Sequence, residues 1–166
     1  MKTICELNDE IVLGKGGLSI QKPRVTARAI VKNKMGLYAV MHSMKFDLYS
    51  LPGGGVEQDE DIITALRREI IEEVGCVCDK IEELGIVYEN RASLDYTQIN
   101  HYFVVYTETF GDNNLTDNEI KNKTMLEWHT FDDMCQLIKN QKTETTQRKY
   151  LKARDIAAIA EYNQSN

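Results

Sequence analysis

Gly54-Gly55-Val56-Glu57-Gln58-Asp59-Glu60-Asp61-Ile62-Ile63-Thr64-Ala65-Leu66-Arg67-Arg68-Glu69-Ile70-Ile71-Glu72-Glu73-Val74-Gly75-Cys76 is the stretch on which the fold and chemistry of this 166-residue chain turn. With Pro52 and Gly53 ahead of it, its glycines predict a turn or loop, since glycines in series after a proline suit neither helix nor strand. From Asp59 to Val74 the pattern becomes helical. Ile63, Leu66, Ile70 and Val74 recur on one face, and Gly75 stands where a helix is commonly stopped.

Glu69, Glu72 and Glu73 fall within an arc of roughly 100° beside that apolar stripe. Like charges so placed repel by roughly a few tenths of a kcal/mol per exposed pair, and by more when partly buried. A bound cation turns the repulsion into attraction, and hard oxygen donors favour Mg²⁺ or Mn²⁺. The plainer alternative is a solvated helix face, in which Arg68 pairs with Glu72 one turn on. The glycine turn weighs against it. Backbone without Cβ atoms lets a phosphate or metal approach closely, beside carboxylates that can bridge through metal ions to diphosphate oxygens.

Gly54, then Glu60 after five residues, then Arg68-Glu69-Ile70-Ile71-Glu72-Glu73-Val74-Gly75-Cys76 after seven more, matches every fixed position of the Nudix box. Cys76 at the last apolar position is the one soft departure. On these residues, and on the approach Leu51-Pro52-Gly53, the chain resembles the Nudix hydrolase family, MutT-like proteins included. The resemblance implies an α/β fold, a Nudix-type α/β/α sandwich with a mixed β-sheet between helices. It implies that Glu69, Glu72 and Glu73 are metal-binding and catalytic carboxylates, Glu69 serving as ligand, general base or both. The carbonyl of Gly53 is a further candidate ligand. Arg68 orients the carboxylates, and Glu60 pairs with Arg68 to fix the loop against the helix, so that Gly54, Glu60 and Gly75 form the structural part of the box. Many relatives recruit one more acid beyond it. Glu119 is the candidate here, with Asp117 and Glu127 competing and an ordinary surface acid as the alternative for all three.

The implied activity is hydrolysis of a diphosphate linkage in a nucleoside diphosphate derivative, with Mg²⁺ or Mn²⁺ as cofactor. Family members act on nucleoside triphosphates, nucleotide sugars, ADP-ribose, dinucleoside polyphosphates and capped RNA, and the box does not choose among them. Two other classes compete. A Nudix-like module that senses a nucleotide without turnover commonly lacks a box carboxylate, and none is missing here. A prenyl diphosphate isomerase needs a dedicated cysteine and glutamate in the cleft, for which there is no clear sign.

Outward from the box, Arg24 to Val31 reads as a strand with Val25, Ala27, Ala29 and Val31 on one face, and Leu37 to Met41 as its return after a turn at Asn33 to Gly36. Val77 to Asn90, Asn100 to Phe110 and Met125 to Thr130 read as further strands. Gly111 to Asn122 reads as a polar loop and Phe131 to Asn140 as a short helix. Residues 1–166 are expected to form one Nudix domain. Residues 1–22 would be an extended segment or hairpin packed on it, and 144–162 a packing helix. Arg24 and Arg28 project from the strand face opposite its alanines, making Arg28 a candidate phosphate contact, although a surface arginine is the plainer reading. For Arg148, Lys149, Lys152 and Arg154 a solvated face is the default, a pocket edge or dimer contact the alternative. His101 reads as a structural histidine. Trp128 suits base stacking and core packing equally.

The chain has 26 acidic and 20 basic residues, a net charge of −6, 42% apolar and 28% charged residues. That balance argues against a nucleic-acid-coating protein but not against a small phosphorylated substrate reached through metal ions. Cys5, Cys76, Cys78 and Cys135 lack the spacing of a zinc site and read as reduced, packed thiols. The polar N-terminus and the absence of long apolar runs predict no membrane partner and a cytoplasmic location. A homodimer is an open option.

Overall fold

The computed structural model describes residues 1–108 and 115–165, the side chains of Asn118 and Glu119 excepted. In chain order its elements are β1 (Thr3–Asn8), α1 (Asp9–Leu13), β2 (Arg24–Asn33), β3 (Tyr38–Ser43), β4 (Leu48–Ser50) and β5 (Gly53–Gly55). There follow α2 (Ile62–Val74), β6 (Lys80–Arg91), β7 (Tyr96–Thr107), α3 (Asp117–Lys121), β8 (Thr124–His129), α4 (Phe131–Asn140) and α5 (Thr146–Ser165).

Strand β2 is the organising element. Val25, Ala27, Ala29 and Val31 alternate with Arg24, Arg28 and Ile30, and side-chain alternation sends the two sets to opposite sheet faces. Ala27, Ala29 and Val31 are fully buried in a core shared with Ala65, Leu66, Ile70 and Val74 of α2. Ile30 enters a second core with Leu51, Tyr102, Tyr150 and Ala158, beneath α4 and α5. Helices therefore cover both faces of one sheet, an α/β sandwich.

The sheet runs β1-β6-β7-β2-β3-β4, with β5 added beside β2 and β8 beside β3. It is mixed: β1 is parallel to β6 and β2 to β7, whereas β6–β7, β2–β5, β3–β4 and β3–β8 are antiparallel. The long register of β2 on β7, Arg24 opposite Gln98 through Asn33 opposite Thr107, fixes which side chains share each face.

Several expectations change. Gly53–Gly55 is a short strand rather than a free loop, Gly53 lying opposite Arg28 and Gly55 opposite Thr26. Glycine is required at Gly53: its φ is 125°, and a Cβ would run into the backbone of Ala27 and Arg28. The second helix starts at Ile62, because Asp61 caps it, accepting from the amides of Ile63 and Thr64, each at 2.9 Å. Ile63 is 39% exposed, and Ala65 takes its place in the buried stripe. The N-terminal segment is no hairpin. Strand β1 joins the sheet edge, and α1 follows it. Within the expected polar loop before β8 stands the short helix α3. Cys76 and Cys78 are buried thiols.

Candidate active site

Strand β5 and helix α2 meet where the box predicts close approach. Leu66, Ile70 and Val74 anchor α2 on the sheet, which turns Glu69 and Glu73 toward β5. The Glu69 carboxylate lies against the α-carbon of Gly54, in space that a Cβ there would fill. Glu73 is nearly buried, and its Oε2 accepts the Gly53 amide at 2.6 Å. The carbonyl of the same residue accepts from Arg28 Nη1 at 2.9 Å. The Gly53 peptide is thus held between a carboxylate from the α2 side and a guanidinium from the opposite face.

Arg68 organises the outer part of this site. Its Nε and Nη2 form a fork on Glu60, both at 3.0 Å. The Nη2 group also reaches the Gly55 carbonyl at 2.9 Å, which ties helix to strand. The remaining Nη1 bridges Glu69 at 2.8 Å and Glu72 at 3.3 Å. Bidentate, charge-assisted bonds of this kind fix orientation as well as adding energy. The Glu60 fork, with the adjacent carboxylates, raises the pKa of Arg68 further, and the same fork holds Glu60 below its usual range. Glu69 moves the other way. Burial raises its pKa, and the bonds from Arg68 offset that only partly.

Glu60, Glu69 and Glu72 therefore crowd around one guanidinium, with Glu73 one residue on from Glu72 and turned to the Gly53 amide. The surplus of negative charge, the all-oxygen donor set and the glycine cradle fit a hard divalent cation. Among the described residues no three His, Cys, Asp or Glu side chains already converge as a ligand set. Glu73 is turned to the Gly53 amide and Glu69 to Arg68. The Gly53 carbonyl spends one lone pair on Arg28 and keeps its second.

The acids expected beyond the box fare differently. The Glu119 side chain lies outside the described residues, and Asp117 is exposed at the start of α3. Glu127 is taken: its two oxygens meet His42 Nδ1 at 2.6 Å and His129 Nε2 at 2.8 Å. Burial pushes the Glu127 pKa up, but the two histidine bonds outweigh it and the net shift is downward.

Two readings of arginines are corrected. Arg28 is half-buried, not a plain surface arginine: its Nε is buried without an acceptor, and burial, with the charge of Arg154, depresses its pKa. Arg154 does not lie on a solvated face. It is 4% exposed and forms an ion pair with Asp155 at 3.2 Å. Asp155 is the residue that periodicity alone missed. Its Oδ2 accepts the Leu51 amide at 3.1 Å and its Oδ1 the Tyr102 hydroxyl at 2.6 Å, so α5 positions the link between β4 and β5 that leads into Gly53. An Arg-Asp pair inside the apolar face of a helix was the available signal.

The mixed sheet between helices and the carboxylate-bearing helix behind a glycine strand define a class of phosphohydrolase-type α/β sandwich. The NUDIX domain model matches residues 22–153, and the chain belongs to that family, the Nudix hydrolases. An 8-oxo-dGTP diphosphatase of Buchnera aphidicola is 39% identical over 49 residues, a match spanning 30% of this chain and 40% of that protein. A NUDIX hydrolase from Nitrosomonas europaea superposes with a TM-score of 0.67 at 21% identity, covering 87% of this chain and 90% of that one. The MutT protein of Methanosarcina mazei Go1 gives 0.58 at 18% identity, covering 88% and 99%. Among the described residues no helix is long and apolar enough to cross a membrane.

Proposed function

We propose that this protein hydrolyses a diphosphate linkage in a nucleotide derivative and requires Mg²⁺ or Mn²⁺ to do so. One observation carries the reading: Glu69, Glu72 and Glu73 stand together on α2, Glu69 and Glu73 against the Gly53–Gly55 strand, with Arg68 bridging Glu69 and Glu72. Glu72, Glu73 and Glu69 would hold the metal, with the free lone pair of Gly53 as a further donor. When bound, the metal would activate water and offset charge on the phosphate oxygens. Arg68 keeps Glu69 and Glu72 adjacent, and Glu60 keeps Arg68 from collapsing onto either. Glu69, beside the Gly54 cradle and held by Arg68, is placed to take a proton from water. The short cradle at Gly54 leaves room beside that carboxylate. The partial match to an 8-oxo-dGTP diphosphatase supports a nucleotide substrate.

The test is a panel of nucleoside triphosphates, nucleotide sugars and ADP-ribose, assayed for released phosphate or monophosphate with Mg²⁺, with Mn²⁺ and with EDTA. Turnover of at least one compound, abolished by EDTA, is expected. Turnover that survives EDTA, or that is unchanged in a Glu73→Gln variant, would sink the metal-site assignment.

A further inference from the structure

Arg28 enters the site from the sheet face opposite α2, where it borders a cavity of about 370 Å³ that Arg24, Arg91, Arg154 and Tyr96 also line. Two of these arginines have carboxylate partners. Glu89 pairs with Arg91, through Nε at 2.7 Å, and more distantly with Arg154 at 3.9 Å, and Asp155 pairs with Arg154. Arg28 forms no ion pair among the described residues. Its Nη1 reaches the Gly53 carbonyl at 2.9 Å and the Leu51 carbonyl at 3.5 Å, and its Nε is buried with no acceptor.

A guanidinium held on backbone carbonyls, with one donor unsatisfied, is an unfavourable thing to bury unless its charge is wanted nearby. The groups around it want that charge. Across the Gly53 peptide stands Glu73, whose Oε2 accepts the amide of the same residue at 2.6 Å. Burial, with the charge of Arg154, lowers the Arg28 pKa, and the charges of Tyr102, Asp155 and Glu73 oppose that fall. In turn, Arg28 is among the charges that offset the burial of Glu69. The oxygens of Asp155 already serve Arg154, Tyr102 and the Leu51 amide, and Arg68 is committed to Glu60, Glu69 and Glu72. Arg28 is therefore the cation set beside the Gly53 carbonyl, facing the carboxylates of α2 through one peptide. A fixed positive charge so placed has two opposed effects. It steadies the carboxylates while no metal is bound, and it repels a metal that arrives, both more strongly than in water.

Resting on the metal-dependent reading, we infer that Arg28 is a resident counter-ion of the metal site: its guanidinium stands in for part of the metal charge in the metal-free protein and thereby lowers metal affinity. It acts on the site through Gly53 and through its charge, as a positioning residue and not a catalytic one. The metal-free protein then keeps Gly53 and the glutamates in place, and a divalent cation binds against a standing charge.

Mn²⁺ binding to the substrate-free protein, followed by electron paramagnetic resonance, reads this without turnover. Arg28→Gln keeps a donor for the Gly53 carbonyl and removes the charge. It is expected to bind Mn²⁺ at least about tenfold tighter than wild type. It should also melt lower in EDTA and gain more in melting temperature from Mn²⁺ than wild type does. Arg28→Lys keeps the charge and should stay within about threefold of the wild-type affinity. Affinity in Arg28→Gln that equals the wild-type value, or falls below it, overturns the inference, and the weaker case would make the guanidinium a support for the metal. Should Arg28→Gln fail to fold, the wild type still decides. The Nε resonance of Arg28, assigned by its loss in Arg28→Lys, should move on addition of Mg²⁺, and a resonance unmoved at saturation overturns the inference. Wild type and Arg28→Gln that both ignore Mn²⁺ would overturn the metal reading itself, whereas metal bound equally by both overturns the counter-ion alone.

Discussion

On the α2 side of β5, Glu60, Glu69 and Glu72 share the one guanidinium of Arg68, while Glu73 is spent on a backbone amide. On the other side, Glu89 and Asp155 serve Arg91 and Arg154, and Arg24 and Arg28 line the same cavity without an ion pair among the described residues. Each region keeps an unbalanced charge where a neutral arrangement would be easier to fold, and the two imbalances have opposite sign. They meet at one peptide, Gly53, whose amide donates to Glu73 and whose carbonyl accepts from Arg28. The difference teaches a division of labour. The acidic side suits a cation, the basic side an anion, and a metal-bound polyphosphate supplies both.

The largest effect in breaking this comparison should come from the acidic side. Glu73→Gln is expected to lower kcat about a thousandfold while the protein keeps its fold, as judged by turnover and circular dichroism on one preparation. The basic side should answer in stability instead. Asp155→Ala strands the buried Arg154 and releases the Leu51 amide, so urea unfolding should show a loss of about 3 kcal/mol. An unaltered urea midpoint would mean that Arg154 finds other partners. At the shared peptide, Gly53→Ala forces a Cβ into the β2 backbone at positive φ and should cost about 2 kcal/mol, seen as a lower melting temperature together with lost activity.

The smallest effect is the pH dependence of the Glu60–Arg68 fork. Glu60 has a folded pKa below its ordinary 4.5. Its contribution to stability is therefore present at neutral pH and is lost as pH falls from about 4.5 through the lower folded value. Melting temperatures of wild type and Glu60→Gln should differ at pH 7 and converge once the pH has fallen below the lowered folded value. A gap that persists in acid would assign the role of Glu60 to packing, not to its charge.

The two regions were also unequally legible in the sequence. The acidic side lies within one contiguous stretch, where helical periodicity puts Glu69, Glu72 and Glu73 on one arc whatever the rest of the chain does. The alternation of β2 likewise fixed that Arg24 and Arg28 share the face away from the alanines. The basic side has no such spacing. Arg24 and Arg28 come from β2, Arg91 from the end of β6, Tyr96 and Gln98 from β7 and Arg154 from α5. Only the register of β2 on β7 and the packing of α5 bring them together. Arg154 reads as solvated because charge predicts exposure, and the pairing with Asp155 that permits its burial is a tertiary fact. Gly53–Gly55 reads as a loop because composition carries no sign of the β2 edge awaiting it.

The bond from Leu51 to Asp155 joins residues 104 positions apart. A ribosome adding roughly 5–20 residues per second needs about 5–20 s to travel that distance. For the later part of that interval, once Val74 has been added, the nascent chain has its glutamate helix but not the residue that positions the segment before Gly53. Assembly of the site is thus gated by the arrival of α5, and a chain stalled before Thr146 would display the box without a working active site.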